Sequence, residues 1–493
     1  MRISLIMLGL LFTFAAFSQK DKKLTEETVT RRQIEAHIQF LASDALKGRN
    51  TGSEELRIAA EYIRTQLHLY GVKPLPEYPD FLQPVEMEKR YPADKGTISL
   101  AGSAHENAKD FILIDGENRE WNGEFVYMDF GTEEDLKTED VQDKFVIVKC
   151  GDGNSDSPRD YFAAATQKRK WAKEAGAAGL IELYNSVQLP FGILLGYLGG
   201  EQIGLVEEEV SANDERSFSH IWLNNSNNET LQQITSSKES TLSIIIAGKK
   251  TEPFTTYNVV GYIPGTDLPE EYVVYSAHYD HVGVGRADST GDNIYNGARD
   301  NAVGTVTVLS TAENMAKYRT RRSSLFILFT GEEKGLLGSE WFVEHSPVDL
   351  ENIVYCFNSD GAGYNDTSKA TIIGLTRTTA EETIKEACRE FGLEAIEDQM
   401  PEQGLFDRSD NVNFARRGIP APTFSLGITA FDDEITKYYH QAADSPESLD
   451  YDYLTKFFKA YVYSARLISN LKNPPFWVKD DKYYEAGKEL YKK

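Results

Sequence analysis

From Tyr257 to Leu471 short apolar strands alternate with helices, and this alternation constrains the fold more than any other feature of the chain. Residues 272–277, 324–329, 353–358 and 423–426 read as strands, each a brief apolar, β-branched or aromatic run. Residues 302–317, 336–344, 379–391 and 453–471 read as helices, with apolar positions at helical spacing. Such alternation predicts an α/β domain with helices on both faces of a sheet.

Two further helices are expected earlier, over residues 32–46 and 54–70. Ser53 is placed to cap the second and Gly71 to end it. Between about residues 111 and 247 the character changes. Short β-rich runs appear at 124–130, 145–150, 178–183 and 242–246, with one clear helix at 161–175. This segment reads as a separate module inserted into the main domain, as a chain of 493 residues allows.

The first 18 residues predict a cleaved signal. Arg2 supplies a short positive region, residues 3–16 are almost wholly apolar, and Ala16 and Ser18 are small residues before the cut. That run is shorter than the roughly 20 residues a membrane-spanning helix needs. Gln19 would begin the mature chain, without a membrane span and in a secreted or periplasmic location. With 52 Lys and Arg against 77 Asp and Glu, the formal net charge is −25, which argues against nucleic acid as a partner. The three cysteines, Cys150, Cys356 and Cys388, form no disulfide framework, though a Cys356–Cys388 bridge stays open.

Five acidic or histidine clusters fall between residues 278 and 444, most of them at the end of a strand or in the loop after it, where open α/β sheets place their sites. The first is Ala277-His278-Tyr279-Asp280-His281. An imidazole suits a metal, and a carboxylate two residues on can fix its tautomer. The second is Asn296-Gly-Ala-Arg-Asp300-Asn301, a carboxylate at a helix start, where free amides favour an anion. The third is Phe329-Thr-Gly-Glu332-Glu333. Adjacent side chains diverge, so one can bind metal while its neighbour serves as the base a metallopeptidase needs. The fourth and fifth are Asn358-Ser-Asp360-Gly and Tyr438-Tyr439-His440-Gln-Ala-Ala-Asp444. Each alone is equally an N-cap, a turn or a surface side chain.

Taken in order, the set resembles the co-catalytic di-zinc exopeptidases that include bacterial leucyl aminopeptidases, aminopeptidase Y and glutamate carboxypeptidase II. The resemblance covers residues 32–87 and about 257–471, and Leu41-Ala-Ser-Asp-Ala-Leu-Lys-Gly-Arg49 with Thr51-Gly52 looks like that family's opening. Asp143-Lys-Phe-Val-Ile-Val-Lys and Ala172-Lys-Glu-Ala-Gly-Ala-Ala-Gly-Leu-Ile look like the protease-associated domain such enzymes often carry. The resemblance implies a mixed, mostly parallel central sheet flanked by helices, with a small β-rich protease-associated domain inserted. Its domains would be residues 19–105 and 250–475 for catalysis, 106–249 for the insert and 476–493 as a tail.

It implies two zinc ions per chain, with cobalt or manganese as alternatives. Asp300 would bridge them, His278 and Asp360 would complete one site, and Glu333 and His440 the other. Glu332 would be the general base and acid for a water between the ions, Asp280 the partner of His278, and Tyr439 a stabiliser of the oxyanion. It also implies a cis Asp300–Asn301 peptide. Arg408-Ser-Asp410-Asn-Val-Asn-Phe414 resembles the family's substrate wall, which places Asp410 near the pocket. Residues 283–296, in the long connection from His278 to Asp300, are expected to form a lip of the pocket.

The implied activity is removal of the N-terminal residue from peptides. Two alternatives share the fold: a carboxypeptidase, or a glutaminyl cyclase-like acyl transferase using one zinc. A carboxypeptidase wants a cation for the substrate carboxylate, for which Arg299, Arg377, Arg408, Arg416 and Arg417 are candidates. A non-enzymatic binding module is opposed by the full set of ligands with a base.

Overall fold

The computed structural model describes residues 20–206, 218–237 and 240–492, so the expected signal at residues 1–18 lies outside the described residues. The chain divides into two compact units. One holds the described residues up to Glu86 together with those from Thr255 onward; the other is Met87–Phe254. The division falls at these points, and not at residues 105 and 250, because Lys95–Leu100 pairs antiparallel with Thr241–Ala247 inside the second unit.

After a helical stretch over residues 20–28, the first unit has helix α1 (Arg31–Leu41) and helix α2 (Glu54–Tyr70). Ser53 Oγ accepts the Leu56 amide, and Gly71 closes α2 in a left-handed conformation, as its sequence signals require. The helix expected over 32–46 stops earlier. Ala42 caps α1, and Asp44–Arg49 forms a tight turn with Lys47, Gly48 and Arg49 at positive φ. A side chain at Gly48 would collide with the Tyr295 and Gly283 carbonyls, so this close approach requires glycine.

Chain then leaves along β1 (Leu82–Tyr91) and returns along β2 (Lys250–Ile263). It continues through β3 (Leu268–His278), helix α3 (Val303–Lys317), β4 (Arg322–Phe329) and helix α4 (Leu337–Glu344). There follow β5 (Ile353–Ser359), β6 (Lys369–Ile373), helix α5 (Glu381–Glu390), β7 (Glu394–Glu397), β8 (Thr423–Leu426) and helix α6 (Tyr451–Asn470). The sheet order is β7-β6-β8-β5-β3-β4-β2-β1, with Gln202–Leu205 pairing antiparallel to the outer edge of β1 as a ninth strand. Its centre, β4-β3-β5-β8, is parallel, while β2 joins β4 and β6 joins β8 antiparallel. The sheet is therefore mixed and mostly parallel at its centre.

The apolar residues of β3, β4 and β5 pack against α1, α2, α3 and α6 on one face, and against a smaller cluster around Phe342, Phe414 and Trp477 on the other. Residues 476–492, expected as a tail, fold back: Trp477 is buried and donates Nε1–H to the Gly418 carbonyl, and Tyr491 hydroxyl donates to the Ile353 carbonyl. All three cysteines are free and buried.

The second unit is β-rich. An eight-stranded sheet includes Arg119–Tyr127, Phe145–Lys149, Gly179–Tyr184 and Ser219–Asn224 at its middle, with helix Pro158–Glu174 among its helices. At its core Glu182 accepts from Trp222 Nε1 (3.0 Å) and lies 2.8 Å from His220 Nε2 and 3.2 Å from Lys168 Nζ. No helix among the described residues is long and apolar enough to cross a membrane.

Candidate functional site

The site sits at the carboxyl ends of the parallel strands. Because β3 and β4 run parallel with His278 opposite Phe329, the turn after β4 emerges beside His278. Gly331 at positive φ makes that turn and delivers Glu332 and Glu333. The register of β5, with Asn358 opposite Ser276, brings Asp360 up on the other side. Asp300 lies in the irregular turn before α3, where the Asp300–Asn301 peptide is cis. His440 comes from the loop before α6 and itself adopts a positive φ.

These loops meet in two donor groups. His278 Nε2 is 3.3 Å from Asp300 Oδ1 and 3.3 Å from Asp360 Oδ1. His440 Nε2 is 3.2 Å from Asp300 Oδ2 and 3.3 Å from Glu333 Oε2. Asp300 thus gives one oxygen to each group. A tetrahedral zinc with bonds near 2.0–2.1 Å holds its ligand atoms about 3.3 Å apart, so both groups have the spacing and the imidazole–carboxylate chemistry of a zinc site. Charge points the same way. Burial opposes protonation of His278, yet the Glu332 and Asp360 charges raise its pKa well above the usual value. Burial likewise opposes that of His440, but hydrogen bonds to Asp300 and Glu333 lift it to about 10. Imidazoles pulled toward the cationic form mark a cluster short of positive charge.

Glu332 Oε2 stands 3.9 Å from His278 Nε2, at the edge of the first group. Burial raises its pKa well above the usual carboxylate value; His278 opposes this, and the Asp360, Glu333 and Asp410 charges reinforce it. Glu333 is held down at about 2, since hydrogen bonds from His281 and His440 outweigh burial and the Asp300 charge. Asp280 is buried, but His278 Nδ1 meets its main-chain carbonyl at 3.1 Å while its carboxylate stays 3.8 Å away. That carboxylate instead accepts from Thr51 Oγ1 (2.7 Å) and the Glu332 amide (3.2 Å), which fixes the turn carrying Glu332.

A cleft opens over the donors, with Ile373, Leu405, Ile428, Phe431 and Tyr439 on its apolar side. Tyr439 stacks on the His440 ring at 4.1 Å and accepts from Arg408 Nη2 at 3.4 Å. Asp410, expected near the pocket, does not line the cleft: its side chain is 0% exposed, though its charge is felt by Glu332, while Arg408 and Ser409 line the cleft. The bend into the next helix turns residues 408 and 409 outward and the next side chain inward, where burial pushes the Asp410 carboxyl up to about 7.

Of the arginines weighed for a carboxylate, only Arg408 lines the cleft. Arg299 is bound to Asp444 and Ser448, Arg377 to Asp481, Arg417 to Glu344 and Arg416 to Asn413.

Several supporting residues act through partners that the sequence does not reveal. Ser409 Oγ donates to Asp360 Oδ2 at 2.5 Å and is itself held by Asn358. Arg49 is buried and donates to the carbonyls of Leu41, Tyr279, Asn296 and Gly297, tying the opening segment to the loops of His278 and Asp300. Arg49 and Thr51 stand in a motif legible in the sequence, but their partners are not. In the sequence His281 stands only as a neighbour of His278; the structure brings it to Glu333.

Fold and donor set together give an α/β domain with two adjoining imidazole–carboxylate groups at the carboxyl ends of its parallel strands. Residues 258–465 match Peptidase family M28. The chain is 26% identical over 321 residues to Aminopeptidase YwaD of Bacillus subtilis, which covers 63% of this chain and 59% of that protein. It is 24% identical over 225 residues to a probable leucine aminopeptidase of Arthroderma otae, covering 43% of this chain and 58% of that one. The aligned part thus spans somewhat under two thirds of each relative. Among solved structures, the aminopeptidase from Aneurinibacillus sp. strain AM-1 superposes with a TM-score of 0.59 at 20% identity, covering 94% of this chain and 98% of that one, a likeness of fold.

Proposed function

We propose that this chain is a metallo-aminopeptidase that removes the N-terminal residue of peptides with two zinc ions. The observation that carries this reading is the division of Asp300, one oxygen toward His278 and Asp360, the other toward Glu333 and His440. The names of the aminopeptidase relatives support it.

His278, Asp300 and Asp360 would hold one ion, and Asp300, Glu333 and His440 the other. When bound, such ions polarise a carbonyl and acidify water. Glu332 takes the proton of the attacking water and passes it to the leaving amine, a task that suits a carboxyl of raised proton affinity. The Tyr439 hydroxyl, backed by Arg408, steadies the developing oxyanion. The apolar wall receives the side chain of the residue released.

A substrate panel on metal-quantified protein tests this, comparing aminoacyl-p-nitroanilides, N-blocked peptides and C-terminally cleavable peptides with and without chelator. Chelator-sensitive release from free N-termini is expected; release only from C-termini would overturn it. One observation favours that second reading, the carboxypeptidase: Arg408 lines the cleft and can take a carboxylate. In that case Arg408→Ala would raise KM sharply for C-terminal substrates.

The unit Met87–Phe254 we assign to a protease-associated domain. Residues 1–18 we assign to a cleaved signal for a secreted or periplasmic enzyme. An N-terminal sequence that starts at Gln19 in the protein recovered outside the cytoplasm is the expected result.

A further inference from the structure

His281 lies three residues beyond His278 and is buried at the back of the second donor group. Its amide donates to the Arg49 carbonyl at 3.1 Å. Its ring meets the His440 ring edge-on, centroids 5.4 Å apart at 76°. On another side Gly297 comes so close that a Cβ there would stand 2.6 Å from two ring carbons. These contacts confine the plane of the imidazole, and the contact with Glu333 sets which edge faces it.

In that orientation Nδ1 lies 2.8 Å from Glu333 Oε1. This distance separates two roles. The ligand pairs of the site stand 3.2–3.3 Å apart, as partners on one tetrahedral ion do. At 2.8 Å the contact is that of a nitrogen donating to a carboxylate. A carboxylate only accepts, so Nδ1 carries the proton. Nε2 has no protein partner.

The two oxygens of Glu333 are consequently shared out. Oε2 faces His440 and the ion position, and Oε1 is occupied by His281. We infer that His281 is a positioning residue of the metal centre, whose Nδ1–H holds Glu333 so that Oε2 alone faces the ion shared with Asp300 and His440. Without that bond the Glu333 carboxylate is free to rotate, and the ion loses an oriented ligand. Outer partners of this kind typically contribute roughly 10–100-fold to metal affinity.

The inference rests on the two-ion reading of the site, and its test is independent of turnover. Zinc affinity is measured by competition with a chromophoric chelator on the full chain, with stoichiometry by mass spectrometry. His281→Phe fills the same space without a donor; His281→Asn places an amide N–H close to Nδ1. The expected result is that His281→Phe weakens one of the two ions roughly 10–100-fold and leaves the other unchanged, while His281→Asn stays within a few-fold of wild type. Wild-type affinity at both ions in His281→Phe would overturn the inference. Equal weakening in both variants would also overturn it, since packing and not the donor would then be at work. Outright loss of one ion in both would make His281 a ligand instead. Wild-type protein that binds two zinc ions but cleaves no peptide would refute the peptidase reading and leave these affinities to decide the role of His281.

Discussion

Replacing Asp444 by Ala should loosen the two loops that carry Asp300 and His440. The Asp444 carboxylate is buried and accepts from Arg299 Nη1 (2.9 Å), the Arg299 amide (2.9 Å) and the Asp300 amide (3.3 Å), while its own carbonyl accepts the Ala298 amide. Burial pushes the Asp444 carboxyl above its usual pKa even though Arg299 opposes this, so the pair gains little over well-packed apolar residues. Deleting one member is another matter. It strands the Arg299 guanidinium, which would keep Ser448 and the faces of Tyr438 and Tyr364. Breaking a buried pair in this way costs about 3–5 kcal/mol. Asp444→Asn retains an acceptor for the amides and loses only the charge, so its cost should be about half as large. Two compact units make a single unfolding transition an unsafe measure. Hydrogen exchange followed by mass spectrometry reads peptides over residues 296–302 and 438–445 directly. Both should exchange faster in Asp444→Ala, with Asp444→Asn intermediate and peptides of the second unit unchanged. Protection equal to wild type in both loops, with global stability lowered by less than about 1 kcal/mol, would refute the reasoning.

Glu332→Gln should keep its bound zinc, by mass spectrometry, and lose roughly 10²–10⁴-fold in kcat, the usual contribution of a general base; turnover at the wild-type rate would remove Glu332 from the mechanism. In the second unit burial works against Glu182, but the hydrogen bond from His220, the charges of His220 and Lys168 and the Trp222 donor hold its pKa below the usual value. A depressed folded pKa means that its stabilisation is complete above the unfolded carboxylate pKa and is lost as pH falls through the folded value. Acid titration of exchange in residues 179–184 should therefore show a steep loss of protection that Glu182→Gln flattens; superimposable profiles would disprove the linkage.

Much of the site was legible because its signals are local. An apolar run leading to His278, Glu332 or Asp360 marks both a strand and the residue delivered to its carboxyl edge, and the order of five such clusters carries the resemblance that implies the donors. Ser53 and Gly71 bracket α2 through contacts no more than four residues away. Strands β6 and β7 escaped the sequence reading because each is short and is stabilised by pairing with the other and, for β6, with β8, not by its own pattern. The helix expected over residues 32–46 ended early because Arg49 is drawn to carbonyls about 230 to 248 residues away. The same distance in sequence hides the contact of Ser409 with Asp360, of Asp444 with Arg299 and of His281 with Glu333. By itself the sequence determined the strand–helix alternation and marked the acidic and histidine clusters that supply the candidate donors, since periodicity and residue chemistry are written along the chain. Tertiary structure alone decided which carboxylate faces the cleft and which, like Asp410, is turned away, and what holds each donor in place, because side-chain direction and partners depend on how distant strands and loops come into register.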